Sequence, residues 1–442
     1  MPGRRPIRAD GLVLAPTDRH SSNHHRRTAT TSRYAGAPGA TGSTRRDGGF
    51  NVEFELERDA FAEAVAWTAR GLPARPVVPV TAGVVLEVTD GAMIVSGFDF
   101  EVLNRIEVPV TDKAAGRVLV SGRLLAEIAR ALPPKDVRVA VEGNRLAVRC
   151  GSARFNLPLL HVEDYPAVPE LPATSGKVRG DVFATAVSQV TAAASRDETL
   201  PMLTGVRMEI GPDALTFAAT DRYRLAERRI PWTPSSSGAA PDSESMLDPA
   251  SRSSVIVPAK TLADAAKSLG SASEVLLSMG NAADAGFLGF SAGGRQTLTR
   301  LLDGEFVKFA SLWPTEVTTT VEVEVSQFVA ALKRVSLVAQ RFAPVRLAFA
   351  EGSVQLSAEA DDESSAEEEL EVGITGEPLT IGFNAGYLLD GLSGVTTPRA
   401  TLSFTTPSRP TVISSLTGLD ADEPDNGDGS YRYLVMSMRL RG

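Results

Sequence analysis

The chain has 442 residues, 43% of them hydrophobic, a formal net charge of −9 and a single cysteine, Cys150. This length predicts about three domains of roughly 100 to 200 residues each. The lone cysteine excludes an intramolecular disulfide, and the spacing typical of zinc ligands is missing, which fits a reducing cytoplasm. No apolar run approaches the ~18 to 20 residues of a membrane-spanning helix, so we expect a soluble, cytoplasmic protein.

The first 49 residues differ in kind from the rest. They are rich in Gly, Ser, Thr, Pro and Arg and show no apolar periodicity, which predicts a disordered basic extension. Nine arginines against three aspartates give residues 1–49 a charge of +6, so residues 50–442 carry −15. Because an apolar core for a secretion signal is missing, a nonessential extension or a misplaced start is favoured over a targeting peptide or a nucleic-acid arm.

Three segments of the remaining chain share one order of predicted elements. Each begins with an alternating strand and continues with an amphipathic helix whose apolar residues recur at i, i+3, i+4 and i+7. A pair of strands with a tight DG, PD or EG turn follows, and then a shorter strand and helix near residues 118, 255 and 380. The first elements are VEFELERDAFAEAVAWTARGL (52–72), VRGDVFATAVSQVTAAA (178–194) and VEVEVSQFVAALKRVSLVAQ (321–340).

This repetition predicts the α+β class, with helices on one side of antiparallel sheets in a unit that occurs three times. Linker-like PELPATSG (169–176) and WPTEVTTT (313–320) mark the boundaries between units. The acidic, Ser-rich stretch at 233–252 interrupts the second unit, and we interpret it as a long mobile loop. The predicted domains are therefore residues 50–172, 173–316 and 317–442.

The repeats and three motifs together resemble the bacterial DNA polymerase III beta subunit, the sliding clamp. The motifs are LPARPVVPVTAGVVLEV in the first repeat, ATDRYRLA (219–226) in the second and YLVMSMRL (433–440) at the carboxyl end. The resemblance covers residues 50–442. It implies three DNA-clamp domains per chain, a head-to-tail homodimeric ring around duplex DNA, and a non-catalytic processivity factor without cofactors.

The resemblance also implies a groove between the second and third domains that holds short peptides of the polymerase III alpha subunit, the clamp loader and repair proteins. Leucine and methionine side chains would form an adaptable apolar floor. Tyrosine and arginine side chains would supply rim contacts to the ligand. By correspondence with the family motifs, the groove residues are Leu203, Thr220, Arg222, Tyr223, Arg224, Leu225, Val307, Leu312, Leu434, Met436, Ser437, Met438, Arg439 and Leu440.

Contact with duplex DNA would be independent of sequence. If basic helix residues face a central hole and acidic segments such as 361–371 face outward, DNA is attracted inside in spite of the negative total charge. Ordinary solvated helix charges are the alternative. The resemblance adds two loop arginines, Arg75 in LPARP and Arg196 in SRDETLP. The basic helix residues are Arg70, Arg123, Arg130, Lys260, Lys267, Lys333 and Arg334.

Ring closure requires a heterologous contact between unlike domains. The resemblance implies that Phe155 and Leu157, in SARFNLPLL, meet Leu337 near the end of the first helix of the third domain. Packing inside each domain's own core is the competing explanation for all three side chains.

The chain departs from the family pattern near the groove. The family commonly has proline at the position of Ser437, and a Pro-x-Tyr-Arg-like run where this chain has Val307, Phe309 and Ala310. Two hypotheses follow: a working replicative clamp with tolerated variation, or a specialised or inhibitor-resistant paralogue with an altered groove. A ring that only scaffolds proteins is a third.

An enzyme would need a site, and the sequence offers none that is convincing. Asp221 lies beside Arg222 and Tyr223, but no paired carboxylates, nucleophile with a base, phosphate loop or metal cluster accompanies it. His161 is the one histidine after the extension, and we interpret it as structural.

Overall fold

The computed structural model describes residues 52–235, 253–279, 286–339, 343–360, 364–416 and 431–440. The predicted extension at 1–49 lies outside the described residues, and so does most of the predicted loop, from 236 to 252. Residues Phe50–Gly442 form one compact unit.

Within the described residues one order of elements occurs three times: a strand, a helix, five strands, a second helix and three strands. The first repeat comprises β1 (Glu53–Leu56), α1 (Arg58–Arg70), β2 (Gly83–Thr89), β3 (Ala92–Phe98), β4 (Val102–Pro109), β5 (Thr111–Ala114), β6 (Gly116–Ser121), α2 (Gly122–Ala131), β7 (Val137–Glu142), β8 (Arg145–Cys150) and β9 (Ala153–Pro158). The second comprises β10 (Thr174–Arg179), α3 (Gly180–Thr191), β11 (Gly205–Ile210), β12 (Ala214–Thr220), β13 (Arg224–Pro231), β14 (Thr233–Pro234), β15 (Ser253–Pro258), α4 (Ala259–Leu269), β16 (Glu274–Met279), β17 (Phe287–Ala292) and β18 (Arg295–Arg300).

The third repeat comprises β19 (Thr319–Glu324), α5 (Val325–Val335), β20 (Val345–Ala350), β21 (Ser353–Ala360), β22 (Ser364–Glu371), β23 (Gly373–Gly376), β24 (Leu379–Phe383), α6 (Ala385–Ser393), β25 (Arg399–Phe404), β26 (Thr411–Ser415) and β27 (Tyr431–Val435). The predicted α+β triplication is confirmed, because each predicted strand-helix unit and hairpin has its counterpart here.

The helices are amphipathic, because their apolar residues recur at helical spacing and lie on one side. In α2, Leu125 and Ala129 are buried while Arg123 and Arg130 are exposed, so one stripe enters the core and the other faces solvent. Each repeat pairs its own two helices, α1 with α2, α3 with α4 and α5 with α6.

The described strands form four sheets, and two of these sheets cross from one repeat to the next. One nine-stranded sheet joins the first two repeats through antiparallel pairing of β4 with β18. A second joins the last two repeats through β13 and β27. The remaining sheets have five strands, ending at β9, and four strands, ending at β22.

Candidate functional site

The predicted ATDRYRLA motif is a tight turn between β12 and β13. The Asp221 carboxylate accepts hydrogen bonds from the backbone N–H groups of Tyr223 (3.0 Å) and Arg224 (3.1 Å). The Thr220 hydroxyl donates to the carbonyl of Arg224 at 2.6 Å. Arg222 has a positive φ of 80°, which an L-residue adopts only when its surroundings require it. The turn therefore presents Tyr223, 56% exposed, on a rigid support.

The second arginine of the motif is buried, not on a rim. Arg224 Nε lies 2.9 Å from Asp221 Oδ2, and its Nη1 contacts the carboxylate of Asp390 on α6. Its guanidinium carbon lies 4.5 Å from the centre of the Tyr387 ring. Burial disfavours the charged form, but Tyr433, Asp390 and Asp221 outweigh it and raise the pKa of Arg224 above its ordinary value. Arg224 thus joins the turn to a helix of the third repeat.

The carboxyl-terminal motif lies directly beside this turn. In the pairing of β13 with β27, Leu225 is opposite Leu434, and the backbone N–H of Met436 donates to the carbonyl of Tyr223 at 2.8 Å. Met438 N–H donates to the carbonyl of Gly382 on β24, also at 2.8 Å. The structure therefore brings together two motifs that lie far apart in the sequence.

A small apolar cluster covers this face of the sheet, and the segment between β18 and β19 supplies part of it. Its buried members are Ala218, Leu225, Phe309 and Leu434, with Phe306 and Trp313 packed against them. Around it, four predicted residues expose apolar surface: Tyr223 (56%), Leu312 (48%), Val307 (40%) and Met436 (39%). A buried floor with exposed apolar side chains at its border is suited to the side chains of a docked peptide.

The other predicted groove residues have mixed environments. Leu203 is buried in a short 3-10 helix, Pro201–Thr204, that precedes β11. Ser437, Met438 and Leu440 are half-buried along the terminal segment, and Arg439 is exposed.

Three aromatic contacts near the groove were not predicted. The Tyr223 ring stacks with that of Tyr387, with centroids 6.3 Å apart. The Arg432 guanidinium lies 4.2 Å from the Trp313 ring, and Phe306 meets Phe309 edge to face. The aromatic run in EFVKFASLWP is a signal that could have indicated Phe306 and Trp313. Tyr387 has no such signal, because its partner belongs to another repeat.

The loop that carries Arg196 lies close to the turn. Asp197 has a pKa below its ordinary value, chiefly because the Thr199 backbone N–H donates to its carboxylate, and the charge of Arg222 lowers it further. Arg196 itself is exposed, as is Arg75 on the loop after α1.

Most of the predicted basic helix residues are exposed, and one is already paired. Arg334 Nε lies 3.0 Å from Glu368 Oε2 on β22. This hydrogen bond raises the pKa of Arg334 and lowers that of Glu368. No ion pair with a described residue involves the others, which are Arg70, Arg123, Arg130, Lys260, Lys267 and Lys333. Arg334 is therefore part of a surface ion pair.

The three predicted dimer residues differ in exposure. Leu337 is 85% exposed just after α5, and Phe155 is half-buried on the edge strand β9. Leu157 is only 1% exposed and packs in the core of the first repeat, so it offers no surface to a partner. For Leu157 the competing explanation, core packing, applies, because alternation along β9 turns it inward.

The described residues contain no group of three or more His, Cys, Asp or Glu side chains arranged to hold a metal ion. His161 is exposed. No helix among the described residues is long and apolar enough to cross a membrane.

Comparison with known proteins covers the whole sheet-and-helix region. Three family models of the DNA polymerase III beta subunit match: the N-terminal domain at residues 52–169, the central domain at 177–308 and the C-terminal domain at 310–423. A beta sliding clamp of Streptomyces coelicolor is 46% identical over 392 residues, 88% of this chain and all of that protein. The beta sliding clamp homolog GriR of Streptomyces muensis is 40% identical over 389 residues, with the same coverage.

Solved structures of sliding clamps also match this chain. A DnaN sliding clamp of Pseudomonas aeruginosa bound to griselimycin matches with a TM-score of 0.78 at 25% identity, covering 88% of this chain and all of that one. A DNA polymerase sliding clamp of Bacillus subtilis matches with the same TM-score, identity and coverage.

Proposed function

Because the chain belongs to the DNA polymerase III beta subunit family, the beta sliding clamps, we propose that two copies close head to tail around duplex DNA and hold partner proteins in the groove beside Tyr223. The family consists of non-catalytic processivity factors whose partners are DNA and polymerase. The proposed peptide partners are the polymerase III alpha subunit, the clamp loader and repair proteins, and the proposed compartment is the cytoplasm.

The observation that carries ring closure is a pair of unused strand edges. Because the three repeats share one order of strands, β4, β13 and β22 are equivalent, and so are β9, β18 and β27. Within the chain, β4 pairs with β18 and β13 with β27, which leaves β9 and β22. Pairing β9 of one copy with β22 of the other would unite five strands and four strands into a sheet of the same size as the two internal ones.

The internal junctions also supply a register for this contact. In them Leu103 is opposite Leu298, and Leu225 is opposite Leu434. Counting from the hairpins, the equivalent pair at the seam is Asn156 with Ser365. In the same register Phe155 would lie opposite Ala366, and Arg154 would lie opposite Glu367. Arg154 and Glu367 are both exposed in the single chain.

Polar side chains thus replace a leucine pair at the intermolecular seam. A cross-strand ion pair contributes only about 0.2 to 1 kcal/mol, so this seam would open more readily than the internal junctions. Readier opening suits a ring that must admit DNA.

Sedimentation velocity at low protein concentration tests the seam. Glu367→Arg should shift the equilibrium towards monomer, and the exchange Arg154→Glu with Glu367→Arg should restore the dimer. Glu142→Arg, a charge reversal on β7 of the five-stranded sheet that also contains Arg154, is the control away from the seam. A wild-type chain that stays monomeric refutes the ring, whereas a dimer indifferent to both reversals refutes the register.

Retention on circular DNA, compared with linear DNA, tests whether the ring encircles the duplex. With a clamp loader and ATP, the ring should be retained on nicked circular plasmid and lost when the plasmid is linearised. A ring that only scaffolds proteins would not be retained on either DNA.

A specialised clamp with altered peptide or inhibitor preference is the second candidate function. Val307 and Met436 lie at the exposed border of the apolar cluster, Phe309 lies within it, and Ala310 and Ser437 adjoin them. One relative is named as a sliding clamp homolog, and a similar structure holds griselimycin. Titration with a clamp-binding peptide separates the two: micromolar or tighter binding supports the replicative clamp, and loss of binding with intact dimers supports the specialised one.

A further inference from the structure

The first repeat carries an exposed aromatic residue at the position equivalent to Arg222. Phe100 follows β3 as Arg222 follows β12, and its φ of 76° nearly equals the 80° of Arg222. A bulky side chain with positive φ is an outlier that persists only where the surroundings enforce it. Asp99 provides that enforcement by accepting backbone N–H bonds from Glu101 (3.0 Å) and Val102 (2.7 Å).

One side of the Phe100 ring packs on buried residues, and much of the ring remains exposed to solvent. Its centroid lies 5.9 Å from that of the buried Phe98, whose backbone N–H donates to the Tyr165 hydroxyl at 2.6 Å. Even so, 48% of Phe100 is exposed. The fold therefore holds an aromatic surface towards solvent instead of letting it collapse.

A small cavity of about 160 Å³ lies in front of this surface. Arg75 and Phe100 both line it, together with two further apolar side chains, Val77 (99% exposed) and Val78 (39%). Arg75 forms no ion pair with any described residue. The nearby acids are engaged: Asp99 accepts the turn N–H groups, and Glu101 lies 3.7 Å from Arg300.

We propose that Phe100 and Arg75 form a binding site for one unpaired nucleotide of DNA, with the base stacked on Phe100 and the phosphate paired with Arg75. An exposed aromatic ring beside a free arginine is the recurring arrangement of single-strand binding surfaces. A cavity of about 160 Å³ limits the ligand to a small group such as a single base, whereas a peptide of several residues would need a longer apolar floor such as that of the groove. This proposal rests on the clamp function. If the ring encircles duplex DNA, the single strand that continues from the duplex would be bound at this face of the first repeat.

Fluorescence anisotropy with labelled oligothymidylate at low salt is the test. Stacking contributes about 1 to 3 kcal/mol per base, which converts to roughly a 5- to 150-fold weaker Kd for Phe100→Ala. Phe100→Trp should retain binding, and Val317→Ala, which shortens another exposed apolar side chain, should leave it unchanged. Excess free thymidine monophosphate, which carries the same base and phosphate, should compete with the oligonucleotide, and an absence of competition would count against a one-nucleotide site.

A second variant separates binding from folding. Phe100→Gly removes the aromatic ring but suits a positive φ, so its unfolding midpoint should not fall while its oligonucleotide affinity drops as for alanine. Retention on circular plasmid should persist in both variants. Loss of retention in the wild type would refute the clamp function, whereas unchanged oligonucleotide affinity in Phe100→Ala, or affinity lost only on Tyr223→Ala, would overturn this site alone.

Discussion

The two internal junctions are built from equivalent strands, yet they present different surfaces. At the first junction the segment after β9 covers the sheet: Tyr165 is buried and hydrogen-bonded to Phe98, and Val168 and Leu171 pack against the buried cluster that contains Leu103 and Leu298. At the second, the segment after β18 contributes the buried Phe309 but leaves Leu312 exposed. The same strand pairing is therefore covered by the following segment at the first junction and leaves more apolar surface exposed at the second.

The turns at the two junctions show how few residues make this difference. Backbone hydrogen bonds to Asp99 and Asp221 match, and the conformations of the next residues match as well. The third residue after the aspartate differs: Val102 in the first turn and Arg224 in the second. Only the second turn is tied to a helix of the following repeat, through Asp390.

The largest expected effect comes from breaking that tie. Arg224→Ala leaves Asp221, only 13% exposed in its side chain, without its cation, and removing one partner of a buried ion pair costs about 3 kcal/mol. Urea unfolding should show this loss, together with weaker peptide binding. Val102→Ala is the matched change at the first junction and should cost about 1 kcal/mol without touching peptide affinity. Equal losses in both variants would contradict the assigned role of Arg224.

Tyr223→Ala tests the open surface itself. Its ring is exposed and stacked on Tyr387, so truncation should weaken a clamp-binding peptide about tenfold and leave the free energy of unfolding nearly unchanged. Isothermal titration calorimetry measures the affinity, with Glu101→Ala at the equivalent position of the first turn as control. If Glu101→Ala weakened the peptide equally, the two junctions would not differ as proposed.

Tyr165→Phe probes the covered junction and should cost about 1 kcal/mol, because it leaves the N–H of Phe98 without its acceptor. Burial raises the pKa of Tyr165 from 10.0 to about 12. The folded protein therefore binds this proton more tightly than the unfolded chain, and stability is lost as the pH rises from about 10 to 12. Urea unfolding across that interval should show a shallower pH dependence in the variant. An identical slope in both proteins would contradict the assignment to Tyr165.

These comparisons show which parts of the site the sequence could predict. Periodicity and repetition predicted the order of strands and helices, and the family resemblance placed ATDRYRLA beside YLVMSMRL. The resemblance assigned one role, rim contacts, to Arg222 and Arg224 together. The structure separates them, because Arg222 has a positive φ and is exposed, whereas the burial of Arg224 depends on Asp390, a partner in another repeat. The core packing of Leu157 and the ion pair of Arg334 likewise depend on neighbours from other elements.

The smallest expected effect concerns the segments that follow β9 and β18 at the two junctions. The first reads Asp-Tyr-Pro at 164–166, and the second reads Glu-Phe-Val at 305–307, with Val307 in the place of Pro166. Val307→Pro should raise the free energy of unfolding by no more than about 1 kcal/mol, because proline restricts the unfolded chain at a position whose N–H has no assigned acceptor among the described residues. A less mobile segment would also lose less entropy on binding, so peptide affinity should rise by a factor of a few. Calorimetry on Val307→Pro, with Val307→Ala as control for the lost side chain, separates rigidity from contact. Weaker binding in both variants would contradict the prediction, because it would show that contacts of the Val307 side chain, and not the rigidity of its segment, determine the peptide affinity.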